Sequence, residues 1–121
     1  MTKRILTVDD SKTMRDMVAF TLRKAGFEVS EAEDGKMALT VLNGAKFDAI
    51  ITDLNMPNMD GISLIKSLRT SAQYRGVPIL MLTTEGDAAK KAEGKAAGAT
   101  GWLVKPFSPE KLVELIQRVC P

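Results

Sequence analysis

The chain has 121 residues, 45% of them hydrophobic, and a formal net charge of +2. That length and apolar content suit one globular domain with its own core, while the weak, dispersed positive charge argues against a nucleic-acid partner. Histidine is absent, which removes imidazole acid-base chemistry and imidazole metal ligands.

Cys120 has no partner within the chain for a disulfide, as expected of a protein from a reducing cytoplasm. No apolar run approaches the ~20 residues of a membrane span, and the N-terminus lacks the apolar core of a signal peptide. The expectation is a cytoplasmic protein that neither crosses nor binds a membrane.

The first apolar run, Ile5-Leu6-Thr7-Val8, predicts a strand that ends on Asp9 and Asp10. Ser11 then caps a helix whose Met14, Met17, Val18, Thr21, Leu22 and Ala25 recur at helical spacing, with Gly26 as its stop. The second unit runs from Phe27 to Asn43. Its strand, Phe27 to Ala32, alternates apolar and polar residues, so only one face is expected to be buried, as at a sheet edge. The third joins a strand from Asp48 to Asp53 with a helix over about 61–70 carrying Ile62, Leu64, Ile65 and Leu68. The fourth strand, Ile79 to Leu82, follows Pro78 and is apolar throughout. Its helix, over about 87–97, is rich in alanine and contains Gly94, which costs ~1 kcal/mol relative to alanine and makes this the weakest predicted helix. The last unit pairs Trp102-Leu103-Val104 with a helix carrying Leu112, Val113, Leu115, Ile116 and Val119.

Five βα units with right-handed crossovers predict a doubly wound α/β fold: a (βα)5 domain with a parallel five-stranded sheet in the flavodoxin-like order 2-1-3-4-5. Ligands of such sheets bind beyond the carboxyl ends of the strands, where the order reverses between the first and third. Asp9, Asp10 and Asp53 fall there. Three carboxylates on one rim repel one another, and a divalent cation relieves that repulsion.

The set Val8-Asp9-Asp10-Ser11, Asp53 to Gly61, Thr83-Thr84 and Lys105-Pro106-Phe107, in this order and each at a predicted strand end, resembles the motifs of two-component receiver domains. The resemblance covers essentially the whole chain, residues 1–121 as one receiver domain without an effector domain, and is nearest to stand-alone, CheY-like chemotaxis response regulators. It implies that Asp53 is the phosphoacceptor, taking a phosphoryl group from a phosphohistidine on a partner histidine kinase. It also implies that Asp10, Asp53 and the Asn55 backbone carbonyl ligate Mg2+, with Asp9 acting mostly through water. Lys105 and Thr83 would contact phosphoryl oxygens, helped by a backbone amide at Thr84. Such a protein is not an enzyme in the usual sense, since it catalyses only its own phosphoryl transfer and autodephosphorylation.

The family switch couples the threonine to an aromatic residue on the fifth strand and so alters the surface of the fourth helix, fifth strand and fifth helix. Trp102 stands where tyrosine or phenylalanine is usual, and its indole needs more room to turn inward. Lys90, Lys91, Lys95 and Lys111 give this face a basic rim. Asn55 and Glu85 hold positions that the family links to access of hydrolytic water, and Thr84 is bulkier than the residue common after the switch threonine. The resemblance implies a monomer whose partners are a histidine kinase, a flagellar motor switch protein or other target, and a possible phosphatase. A phosphate sink or a non-motor regulator is the alternative output. A Mg-dependent phosphatase with an aspartate nucleophile is disfavoured because Asn55 replaces the second aspartate, and a flavodoxin-type carrier because Asp9-Asp10 would repel phosphate. The methionines and the Pro57–Gly61 segment read as packing and loop shaping, and Lys105-Pro106 as an ordinary turn.

Overall fold

The computed structural model describes residues 2–84 and 88–120. Strands and helices alternate strictly: β1 (Arg4–Val8), α1 (Lys12–Lys24), β2 (Glu28–Ala32), α2 (Gly35–Leu42), β3 (Ala49–Asp53), α3 (Gly61–Arg69), β4 (Ile79–Thr84), α4 (Ala88–Ala97), β5 (Gly101–Lys105) and α5 (Pro109–Val119). All strand pairings are parallel, and the order is β2-β1-β3-β4-β5, the order expected from the sequence.

Alternation along the strands divides the core into two layers. Leu6, Ile50, Ile79 and Met81 face α2 and α3, whereas Ile5, Ile51, Leu80, Leu82 and Leu103 face α1 and α5. The central strands β1 and β3 are buried almost throughout, as their continuous apolar runs require. The β2 edge strand is only partly covered, and its burial does not follow a clean alternation because Arg15 and Arg23 from α1 lie over Glu31.

Local signals set the boundaries. Ser11, Asp34, Asp60 and Ser108 each accept a backbone N–H of the helix they precede, satisfying a donor that has no partner within the helix. Ala25 is exposed and caps α1 instead of joining its buried stripe, and Gly26 follows in the left-handed conformation, φ 98°. β4 runs two residues further than its apolar core, through Thr83 and Thr84.

Gly94, the buried residue of α4, lies directly against Met81; a Cβ there would overlap the methionine sulfur. What the sequence presents as a helix weakness is therefore the point at which α4 approaches the sheet. Arg69, at the end of α3, donates to the carbonyls of Tyr74, Arg75 and Val77 and, through Nε, to Gly98 after α4. Burial lowers its pKa, and four carbonyl contacts offset the lost hydration. None of the described helices is long and apolar enough to cross a membrane.

Candidate functional site

The sheet explains why distant residues meet. Val8 pairs with Thr52, so Asp9, the next residue, comes level with Asp53 at the carboxyl rim. Asp53 and Lys105 each end a strand and lie two residues beyond Ile51 and Leu103 of the α1/α5 layer, which puts both side chains on that face. β4 separates their strands, and neighbouring strands are ~4.8 Å apart. The long lysine stem spans the gap: Lys105 Nζ donates to Asp53 Oδ1 at 3.1 Å and lies 3.9 Å from Asp9 Oδ2. The Lys105–Pro106 bond is cis, where the sequence favours an ordinary trans turn.

Carboxylate oxygens of Asp9, Asp10 and Asp53 lie within 4.8 Å of one another. Asp9 is 1% exposed and Asp53 8%, whereas Asp10 faces solvent. The Ser11 N–H fixes Asp9 Oδ1 at 2.9 Å, and Arg15 Nη1 donates to the Asp9 carbonyl at 2.6 Å. Asp9 Oδ2 is buried without a hydrogen-bond partner among the described residues. Burial pushes the Asp9 carboxyl above the usual carboxylate range; the Ser11 bond and Lys105 oppose this, while Asp53 and Asp10 add to it. An all-oxygen donor set, an orphaned buried carboxylate oxygen and mutual repulsion together fit a hard divalent cation.

Asp53 Oδ1 also accepts the Leu54 N–H at 2.9 Å. Gly61 holds this end of β3 in place from the other side, since a Cβ at 61 would overlap the Asp53 carbonyl oxygen. On the next strand the Thr83 hydroxyl is buried with no hydrogen-bond partner among the described residues. A hydroxyl kept this way at the rim leaves a donor available to a bound oxygen ligand. Asn55 is exposed at the start of the loop after β3, and Thr84 is the exposed last residue of β4. Glu85 lies outside the described residues.

Trp102 on the β5 edge is 40% exposed, with Lys91 Nζ 6.0 Å from its ring centroid. Lys90, Lys95 and Lys111 are exposed, Lys90 and Lys95 on the neighbouring α4 and Lys111 on α5. No sequence pattern marks Arg15, whose contact with the Asp9 carbonyl depends on the course of α1. Gly61 carried a signal only as a loop former; its close approach to Asp53 is a tertiary fact.

A sequence model of the response regulator receiver domain matches residues 5–117. The chemotaxis protein CheY of Pseudomonas aeruginosa is 40% identical over 117 residues, which cover 96% of this chain and 94% of that protein. The high-resolution structure of the chemotaxis response regulator CheY4 of Vibrio cholerae is 54% identical and superposes with a TM-score of 0.94, covering 98% of this chain and 99% of that one. The receiver domain of a sensor histidine kinase from Pseudomonas aeruginosa, 29% identical, superposes with a TM-score of 0.91 over 99% of this chain and 98% of its own; that structure has a magnesium ion coordinated in its active-site cleft. With a family match over almost the whole chain and an acidic rim at the carboxyl ends of β1 and β3, the chain belongs to the response regulator receiver domains of two-component systems.

Proposed function

We propose that the protein is a phosphorylation-activated switch that takes a phosphoryl group from a histidine kinase onto Asp53. The observation that carries this reading is Lys105 Nζ at 3.1 Å from Asp53 Oδ1, beside the crowded carboxylates of Asp9 and Asp10. An ionised carboxylate attacks phosphorus directly, forming an O–P bond as the P–N bond of the phosphohistidine breaks. Lys105 stabilises charge on one equatorial oxygen, and the Thr83 hydroxyl, which has no hydrogen-bond partner among the described residues, donates to another. The backbone amide of Thr84 assists. Asp10, Asp53 and the Asn55 carbonyl would hold Mg2+, with Asp9 acting through water. The metal supplies neutralisation of carboxylate and phosphoryl charge at once. Magnesium in the cleft of the similar kinase receiver domain supports this choice.

The protein catalyses no turnover beyond its own phosphorylation and dephosphorylation, and it acts in the cytoplasm as a monomer. Its output surface is α4, β5 and α5, centred on Trp102. The chemotaxis relatives favour a flagellar motor switch as the target and a chemotaxis kinase as the donor.

Incubation with Mg2+ and a small acyl-phosphate donor is expected to add one phosphoryl group, stable to acid and labile to base. Asp53→Asn is expected to stay unmodified, and equal labelling of that variant would reject the mechanism. Titrating motor-switch peptides against the phosphorylated and unphosphorylated forms then tests the output. Equal affinity for both forms would exclude a phospho-dependent motor switch at Trp102.

A further inference from the structure

The loop between β3 and α3 is tied to a distant part of the chain. Asn58 adopts φ 68°, a left-handed conformation in which asparagine is tolerated far better than most residues. From there its Nδ2 donates to Asp34 Oδ2 at 2.8 Å, across 24 positions of sequence. The other oxygen, Asp34 Oδ1, accepts the Met37 N–H at 2.8 Å and caps α2. Beside this pair the Gly35 N–H donates to the Met59 carbonyl at 3.3 Å. A Cβ at 35 would come within 2.8 Å of Met59, so the loop rests on the backbone at the start of α2.

Among the described residues the other backbone hydrogen bonds of this loop are local, and Lys90 of α4 acts on Asp60 at its end only through charge. Met59 N–H donates to Pro57 O at 2.7 Å and Gly61 N–H to Leu54 O at 3.0 Å. Such bonds set the internal shape of the loop and leave its attitude toward β1 to longer-range contacts. That attitude places the Asn55 carbonyl, a backbone oxygen that no side-chain rotation can re-aim. Mg2+ requires near-octahedral oxygens at ~2.0–2.1 Å, so small displacements of one ligand are costly.

We propose that Asp34 and Asn58 are positioning residues: they latch the β3–α3 loop to the start of α2 and thereby set the affinity of the acidic site for Mg2+. This rests on the reading of Asp9, Asp10, Asp53 and the Asn55 carbonyl as the metal site. Neither residue touches the metal.

The test is calorimetric titration of MgCl2 into the full chain, with thermal unfolding in EDTA as a separate readout of fold stability. Asn58→Gly keeps the left-handed backbone and the net charge but removes the amide; Asn58→Ala also strains the backbone. Both are expected to weaken Mg2+ binding about 3- to 10-fold, the range of one hydrogen bond's net contribution. Asp34→Ser keeps a capping oxygen for α2 and is expected to weaken binding at least as much. Adding Asn58→Gly to Asp34→Ser should then weaken it no further, because one contact cannot be lost twice. Wild-type binding with Asn58→Gly unchanged would overturn the latch alone. Absence of binding by wild type would overturn the metal reading and the latch with it.

Discussion

Removing the buried charge at Asp9 should stabilise the metal-free protein. Asp9→Asn keeps the shape of the side chain and the oxygen that accepts the Ser11 N–H. What it removes is a buried carboxylate, one of whose oxygens has no hydrogen-bond partner among the described residues, set among two like charges whose oxygens lie within 4.8 Å and one ammonium at 3.9 Å. At an effective dielectric constant of ~20, each repulsion is worth about 3.5 kcal/mol and the attraction to Lys105 about 4 kcal/mol. Solvent screens the exposed Asp10, and Lys105 is shared with Asp53, so a net gain of about 1–2 kcal/mol is expected for the neutral variant. In thermal unfolding with EDTA at neutral pH, this corresponds to a Tm rise of about 4–8 °C.

Two further arms test the cause. Burial holds the Asp9 carboxyl above the ordinary range, so its contribution to stability is fully present below the carboxyl pKa of the unfolded chain and is lost as pH rises through the folded-state pKa. The advantage of Asp9→Asn should therefore shrink as pH falls through the carboxylate range. Mg2+ should raise the Tm of wild type and affect the variant much less, since binding to the folded form alone stabilises it. A lower Tm for Asp9→Asn in EDTA, or undiminished Mg2+ stabilisation of the variant, would refute the electrostatic reasoning.

Three other outcomes are expected. Gly94→Ala gains helix propensity of ~1 kcal/mol but forces the buried Met81 side chain to move, an overpacking cost of about 1–3 kcal/mol, so urea unfolding should show a net loss; a more stable variant would show that α4 has room to lift. Tyr74→Phe leaves the buried Leu42 carbonyl without the phenol hydroxyl that reaches it at 2.7 Å, a loss of about 1–2 kcal/mol readable as a lower Tm. Hydrogen exchange should find residues 88–97 less protected than α1, because Gly94 is the one residue that α4 buries; equal protection would contradict this.

The elements were legible where a local pattern determines them. Ser11, Gly26 and the apolar runs marked α1 and the strands, and the partly polar second strand marked an edge, which sufficed to order the sheet. The acidic rim followed from that order. Less visible was whatever depends on contact across the sequence. Asp34 and Asn58 are ordinary turn residues until the fold brings them together, and Gly94 reads as a defect until Met81 is set beneath it. Tyr74 sits in a polar connection yet is 4% exposed, since its ring fills the space beside Leu42. Ala25 keeps the helical spacing yet stays outside the buried stripe, because α1 ends at Lys24 and Ala25 is its exposed cap. Thr83 and Thr84 extended β4 because strand pairing with β5 continues beyond the apolar run, to Val104 and Lys105.

Arg69 anchors the C-terminal end of α4. Its Nε holds the Gly98 carbonyl just past the C-terminal end of α4, while the same guanidinium grips the connection leading into β4. Gly98, at φ 115°, is packed so closely on the Arg69 stem that a Cβ would meet it at 2.7 Å. In a tilt, α4 would pivot on that anchored end. Its ten residues extend ~15 Å from that point, so a tilt of about 4° carries the Ala88 end through about 1 Å. Lys91 lies along that lever and would ride with it across the face of Trp102.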